Sequence, residues 1–271
     1  MALKIYDEEG GGEMDTYSPA TYGERSAGEY DNWHDSYDEA AIKTLVELAG
    51  GRRALELGIG TGRIAIPLAA SGAEVHGIDA SHAMIAKLRD KPGGDRVPVT
   101  IGNFADADVA GEFALVFVVF NTFFMLLTQE EQVRCFRNVA KRLAPGGVFL
   151  LEAFVPDLTR FTGGQANKIT SITTDQVSLD MSQHDPVRQH VIGQKVFITD
   201  GHIRLYPTQI RYAWPSELDL MAQLAGLQLR DRWSGWRGEP FTSESGKHIS
   251  VYERLPVLSK EDDTKTASIL G

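Results

Sequence analysis

The chain has 271 residues, 42% of them hydrophobic and 24% charged, with 27 basic against 37 acidic side chains and a formal net charge of −10. That balance is the one of a globular chain of one large α/β domain or two smaller ones, and it opposes binding of nucleic acid, whose affinity comes largely from neutralised phosphates. One cysteine, Cys135, rules out an internal disulfide, and without a Cys/His cluster no metal is expected and the expected setting is reducing and cytoplasmic.

Residues 1–15 are Gly- and Glu-rich without periodicity and are expected to be disordered; they contain no apolar segment of a signal peptide. Between about 50 and 155, apolar β-type runs (RRALEL, AEVHGI, VPVTI, FALVFVVF, GVFLLEAF) alternate with helical patterns. Near-continuous apolar strands separated by helices predict a parallel sheet covered on both faces, a doubly wound α/β fold. The apolar, uncharged stretch from Phe113 to Leu127 is too short to cross a membrane. Thr128 and Glu131 form a capping box ahead of Val133, Phe136, Val139, Ala140 and Leu143, and APGG at 144–147 ends that helix. Asp79 and Ser81 are both candidate N-caps for a helix carrying Met84, Ile85 and Leu88.

From 156 to 213 the pattern changes to Thr- and Val-rich segments (KITSITT, QKVFITDG, HIRLYPTQIRYAW), which predict an inserted small antiparallel β segment with a hairpin turn at Asp200-Gly201. Pro215 starts a helix ending near Gly226, and LQLRDRW and KHISVYER are the closing strands. The main domain is thus expected over 16–155 and 214–255, with 256–271 a flexible tail.

Glu56-Leu57-Gly58-Ile59-Gly60-Thr61-Gly62 stands where a strand stops and a helix starts. Glycines there allow a tight turn and close approach of a ligand, and helix N-terminal amides favour negative charge. A tight turn without a ligand has the same grammar. A dinucleotide fingerprint GxGxxG would need glycine at 63, where the chain has Arg63, and a carboxylate at Glu56 suits a cationic ligand better than a pyrophosphate. Asp79, 21 residues after Gly58 at the next strand's end, has the position of a carboxylate that accepts from ribose hydroxyls.

ELGIGTG, the Asp79 of HGIDAS, the LAPGG turn and the C-terminal strand pair together resemble the Rossmann-like (class I) methyltransferases that use S-adenosylmethionine, over about residues 20–255. FNTFFMLLTQEEQ, EAFVPD and SGWRGEPFTSESGKHISVYER resemble bacterial small-molecule members. The resemblance implies a seven-stranded, mostly parallel sheet with an antiparallel C-terminal strand, and S-adenosylmethionine as cofactor. It implies that Gly58, Gly60 and Gly62 pack on the methionine end and ribose, that Glu56 meets the amino group and that Asp79 holds the ribose hydroxyls. It further places Ala80 and Met84 on the adenine face, Asn103 and Phe104 by the adenine amino group, Phe120 and Asn121 beside the methyl, and Tyr22 and Tyr30 in a segment closing over the cofactor. Asn103 stands where the family often has an acidic residue, and Ala114 where it commonly has aspartate.

A sulfonium methyl is already activated, so transfer needs chiefly a held nucleophile and a dry site. No catalytic residue is singled out by the sequence. Of seven histidines, His76 and His248 fall in strands and His82 in a helix's first turn, whereas His184 and His190, in QHDPVRQH, are candidates to face a substrate. The insertion is the expected source of specificity, with Phe154, Tyr206, Tyr212 and Trp214 as candidate pocket walls. The expected reaction is methyl transfer to an oxygen or nitrogen of a small-molecule acceptor. The rivals are an NAD-linked oxidoreductase, which shares Asp79 but lacks YxxxK, and a non-catalytic nucleoside-sensing protein.

Overall fold

Strands apolar along their whole length must be buried between two layers, and the chain builds such a three-layer arrangement. In the computed structural model, residues 17–34, 36–106 and 108–255 are described. The terminal segments expected to be disordered, 1–15 and 256–271, lie outside the described residues. In chain order come α1 (Thr21–Ser26), α2 (Tyr30–Trp33), α3 (Glu39–Ala49), β1 (Arg53–Leu57), α4 (Ala65–Ala70), β2 (Glu74–Asp79), α5 (His82–Arg89), β3 (Val99–Ile101) and β4 (Phe113–Val118). These are followed by α6 (Gln129–Arg142), β5 (Leu143–Phe154), β6 (Gln165–Ile172), β7 (Gln176–Asp185), β8 (His190–Thr199), β9 (His202–Arg211), α7 (Pro215–Leu224), β10 (Leu227–Trp233) and β11 (Lys247–Arg254).

The main sheet has seven strands in the order β10-β11-β5-β4-β1-β2-β3. β1 to β5 run parallel, and β11 lies antiparallel between β5 and β10. β4 is buried at every position, as its uninterrupted FALVFV requires. On one face α3, α4 and α5 bury Leu45, Leu68 and Leu88 against Leu115, Phe117 and Leu150; on the other α6 and α7 bury Phe136, Val139 and Leu218 with Phe149 and Tyr252. The Thr128–Glu131 capping box starts α6 as expected. Of the two candidate caps for α5, Ser81 takes the role, its Oγ accepting from the Met84 amide at 3.1 Å. That leaves Asp79 for another purpose.

The inserted segment is a separate four-stranded antiparallel sheet, β6-β7-β8-β9, with Asp200-Gly201 turning between β8 and β9. The sequence patterns predicted β6, β8 and β9 but not β7. Two of the attachments that fix this sheet to the main body carry ion pairs. Arg211, 5% exposed, donates to Gln132 of α6, to Gln189 and, at 2.7 Å, to the Glu217 carboxylate of α7. The N-terminal segment forms the other: the Gln209 amide donates to Tyr17 Oη at 3.1 Å, and Arg204 pairs with Glu29 at 2.6 Å.

Candidate active site

The strand order reverses between β1 and β4, and an open α/β sheet leaves a crevice at the carboxyl ends of its strands there. The turn after β1 lines it. Gly58, Gly60 and Gly62 all have left-handed φ, and the Gly58 and Ile59 amides donate to the Ile78 carbonyl at 2.8 and 3.1 Å, which ties the turn to β2. A Cβ on Gly58 would stand 2.4 Å from Thr122 Cγ2, so only glycine lets the turn lie this close to the end of β4.

Asp79 is locked by backbone donors: Oδ2 accepts from the Gly60 amide at 2.8 Å and Oδ1 from the Ser81 amide at 2.9 Å. Burial raises its pKa, and these amides oppose the rise. Glu56, 3% exposed, lies beneath the turn, and its Oε2 has no hydrogen-bond partner among the described residues. Burial pushes its carboxyl well above the usual range, Asp79 adds to this, and Arg63 works against it. A buried, unpartnered carboxylate oxygen calls for a cationic or donating ligand group.

The N-terminal segment closes one side. Ser81 Oγ and the Ala83 amide both donate to Glu24 of α1, and a Cβ on Gly23 would meet Ser81 Cβ at 2.4 Å. Thr61 donates to Asp31 at 2.6 Å. Tyr22 and Tyr30 meet edge to face at 6.3 Å between ring centres, and burial raises both their pKa values, so both stay neutral.

At the end of β4, Phe120 and Asn121 adopt left-handed backbone (φ 57° and 65°), a conformation that costs a side-chain-bearing residue roughly 1–2 kcal/mol. β5 holds them there. The Phe120 amide donates to Glu152 Oε2, the Asn121 amide to the Glu152 carbonyl, and the Phe154 amide to Asn121 Oδ1 at 2.7 Å. Arg63 then lies over the Phe120 ring, its guanidinium carbon 3.5 Å from the ring centre.

The resulting cavity, about 370 Å³, has a volume typical of small-molecule sites. Tyr22, Tyr30, Gly58, Gly60, Asp79, Ala80, Met84, Asn103, Phe104, Phe120 and Asn121 all line it. Two anticipated residues do not. Glu56 stands behind the turn, and Gly62 faces Leu88 and Ile66 in the helical layer. Asn103 Oδ1 accepts from the Ala105 amide at 2.9 Å, so that oxygen is already engaged within the protein.

A second chamber of about 500 Å³ adjoins the first beneath the antiparallel sheet, and Tyr22, His34, Phe154, Thr208 and Ile210 belong to both. Phe154, Tyr206 and Tyr212 line it, as anticipated; Trp214 does not, being the half-exposed residue that precedes α7. Nor do His184 and His190 line the chamber: His184 bonds Tyr212 Oη at 3.0 Å and stacks on Phe161, and His190 Nε2 bonds the Leu127 carbonyl at 2.6 Å. Arg63 and His34 are lining residues that sequence reasoning passed over. Arg63 directly follows the glycine turn, which was the available signal; His34 lies in a loop without a pattern.

A family model described as a methyltransferase domain matches residues 54–147. The cypemycin N-terminal methyltransferase of a Streptomyces species is 32% identical over 207 residues, which cover 75% of this chain and 84% of that protein. The chain belongs to the class I S-adenosylmethionine-dependent methyltransferases. It is a methyltransferase of the bacterial small-molecule type, and the NAD-linked and purely sensing readings fall away. The structure of the CcbJ methyltransferase from Streptomyces caelestis superposes with a TM-score of 0.83 at 38% identity, covering 88% of this chain and 99% of that one. A third relative, the dTDP-4-amino-2,3,4,6-tetradeoxy-D-glucose N,N-dimethyltransferase of Saccharopolyspora spinosa, is 31% identical over 123 residues, 45% of this chain and 48% of that protein. The methyltransferase's crevice fits its cofactor: a left-handed glycine turn for close approach and a carboxylate at the end of β2 line it, and an unpartnered buried carboxylate oxygen stands behind the turn. Among the described residues no helix is long and apolar enough to cross a membrane.

Proposed function

We propose that this methyltransferase moves the methyl group of S-adenosylmethionine onto an amine nitrogen of a small molecule seated under the antiparallel sheet. The observation that carries the reading is the junction of the two cavities, where Tyr22, His34, Phe154, Thr208 and Ile210 wall both. A cofactor in the first cavity meets an acceptor in the second only there. The cofactor supplies a methyl group already activated by a cationic sulfur. Asp79 would accept from the ribose hydroxyls, Glu56 would face the ammonium, and Ala80, Met84 and Phe104 would wall the base. Asn103 would take the adenine amino group through the second lone pair of an oxygen already bonded to Ala105. Tyr22, Tyr30, Phe120 and Asn121 would enclose the methyl end and keep water from it. The segment 156–213 would act as substrate lid, and the buried, unpaired Cys135 fits a cytoplasmic enzyme.

An amine is favoured over a hydroxyl by the charges of the second chamber. Lys195 lies over Trp33 at 4.6 Å and Arg160 over Phe161 at 5.0 Å, so both cations are engaged by aromatic faces. The Asp180 carboxylate lines the same chamber, with no side-chain hydrogen bond or ion pair among the described residues, and is available to a cationic acceptor. One relative is named for methylating the N-terminus of cypemycin, and another is named as the N,N-dimethyltransferase of a dTDP-linked amino sugar. The test is release of S-adenosylhomocysteine with matched amine, N-acetyl and hydroxyl compounds. Turnover of amines alone is expected; turnover of hydroxyl compounds alone contradicts the choice of nitrogen.

A further inference from the structure

We propose that His34 is the proton acceptor that frees the acceptor amine for methylation, a role that rests on the amine reading above. An alkylamine is an ammonium ion near neutral pH and has no lone pair to offer. Somewhere close to the transferred methyl a group must take its proton. Of the five residues common to both cavities, Phe154 and Ile210 have no titratable group, Thr208 has only a hydroxyl, and Tyr22 is held neutral by burial. His34 alone among them can gain and lose a proton near pH 7.

Its placement is built rather than incidental. α2 ends at Trp33, and His34 follows with φ −137° and ψ 55°, its amide still bonded to the Tyr30 carbonyl at 3.1 Å. The imidazole leans on the Tyr30 ring, 4.8 Å between centres, while no side chain or carbonyl among the described residues bonds to its nitrogens. The ring is therefore oriented by packing and left chemically free. The charged groups around it are Arg63 from the glycine turn, Lys195 from β8 and Asp31 on its own helix. Burial lowers its pKa, Arg63 and Lys195 lower it further, and Asp31 opposes them. His34 thus waits as neutral imidazole, the form that accepts. A second anchor stands nearby: Gln194 lines the same chamber, and its Oε1 is buried without a partner, so an acceptor carrying a further N–H or O–H beside its amine would complete it.

In the step itself, one ammonium N–H bond breaks and its electron pair stays on nitrogen as the lone pair that methylation needs. The proton forms an N–H bond on His34, and the imidazolium later yields it to water. Only a proton moves, so no oxidant or further reactant enters.

The experiment follows turnover of glucosamine and of the tripeptide Ala-Gly-Phe against pH for the wild type, His34→Asn and His34→Ala. It also follows S-adenosylhomocysteine binding by calorimetry and the His34 ring by NMR in that complex. The expected results are a loss of about 100-fold at pH 7 in His34→Asn, recovering with rising pH as the amine loses its proton unaided, partial rescue of His34→Ala by added imidazole, S-adenosylhomocysteine still bound by both variants, and a ring that titrates below pH 6.5. Wild-type rates and an unchanged pH profile in His34→Asn, or a His34 ring already protonated at pH 7, overturn the role while leaving amine methylation standing. If the wild type turns over neither amine, amine methylation fails first and the role of His34 falls with it.

Discussion

The Phe120 amide donates to Glu152 Oε2 at 3.2 Å, and through this bond a carboxylate of β5 holds the end of β4 in a left-handed turn. Lys247 of β11 pairs with the other oxygen, Oε1, at 3.0 Å. Three neighbouring strands thus converge on the position of one aromatic ring. Removing the carboxylate in Glu152→Ala leaves a part-buried amide unpaired and the turn unheld, with an expected loss of about 1–3 kcal/mol of stability. Urea denaturation measures it. Phe120→Gly relieves the left-handed strain, so its thermal midpoint is expected to change little while turnover falls at least tenfold; a variant as active as the wild type contradicts a role for this ring.

Asp79 is held by the Gly60 and Ser81 amides before any ligand arrives. Asp79→Ala removes the proposed charged acceptor for the two ribose hydroxyls, and roughly 1.5–3 kcal/mol per charge-assisted bond predicts a loss of at least tenfold in S-adenosylhomocysteine affinity. Asp79→Asn should fall between the two. Calorimetric titration decides, and equal affinities in all three proteins contradict the ribose assignment.

Glu56 gives a prediction in pH. Burial raises its pKa in the folded protein, so the folded state holds the proton over a window running upward from the ordinary carboxylate value. The stability it contributes is present below that window and is lost as pH rises through the raised pKa. Glu56→Gln removes this loss. At pH 8 the variant is expected to melt above the wild type and yet bind S-adenosylmethionine more weakly, since it lacks the carboxylate proposed to face the ammonium.

His248 works in the opposite sense. Burial pushes its pKa down from 6.5 to about 4, with Arg232 adding and Asp219 opposing. The unfolded chain therefore takes up a proton that the folded one refuses, and stability falls as pH drops from about 6.5 to 4, by about 3 kcal/mol in all. Denaturation midpoints across that range should show a shallower acid limb in His248→Gln; an identical limb shows that another group governs it.

Arg211 joins the antiparallel sheet to α6 and α7, and Glu217 loses its main buried partner without it. Burial pushes Glu217 up, yet hydrogen bonds from Arg211, Gln189 and Gln129 hold it below the usual carboxylate value. Arg211→Ala is expected to cost about 3–5 kcal/mol, because it leaves a carboxylate behind, whereas Arg211→Met with Glu217→Leu should cost far less. A double-mutant cycle by urea unfolding reads the difference.

Much of this architecture was legible where one local pattern served one purpose. LQLRDRW and KHISVYER coincide with β10 and β11, and Thr128 with Glu131 starts α6. Asp79 was readable because a carboxylate at a strand end needs only the strand to place it. β7 was not, although Val177, Leu179 and Met181 alternate with polar residues: the run is short, none of the three is buried, and Ser178 is its one buried position, so its pairing with β6 and β8 is what makes it a strand. Arg63 and His34 escaped for a related reason. Their surroundings are assembled by contacts between distant segments, such as Phe120 over Arg63 and Lys195 near His34, which no local spacing records.

In the proposed arrangement one cavity holds S-adenosylmethionine with its methyl end turned toward the chamber beneath the antiparallel sheet. A crystal structure of the complex with S-adenosylhomocysteine tests it most directly. Both ribose hydroxyls are expected on Asp79, the amino group toward Glu56 and the sulfur at the junction walled by Tyr22, His34 and Phe154. A nucleoside bound elsewhere, or bound with its sulfur pointing away from that junction, contradicts it.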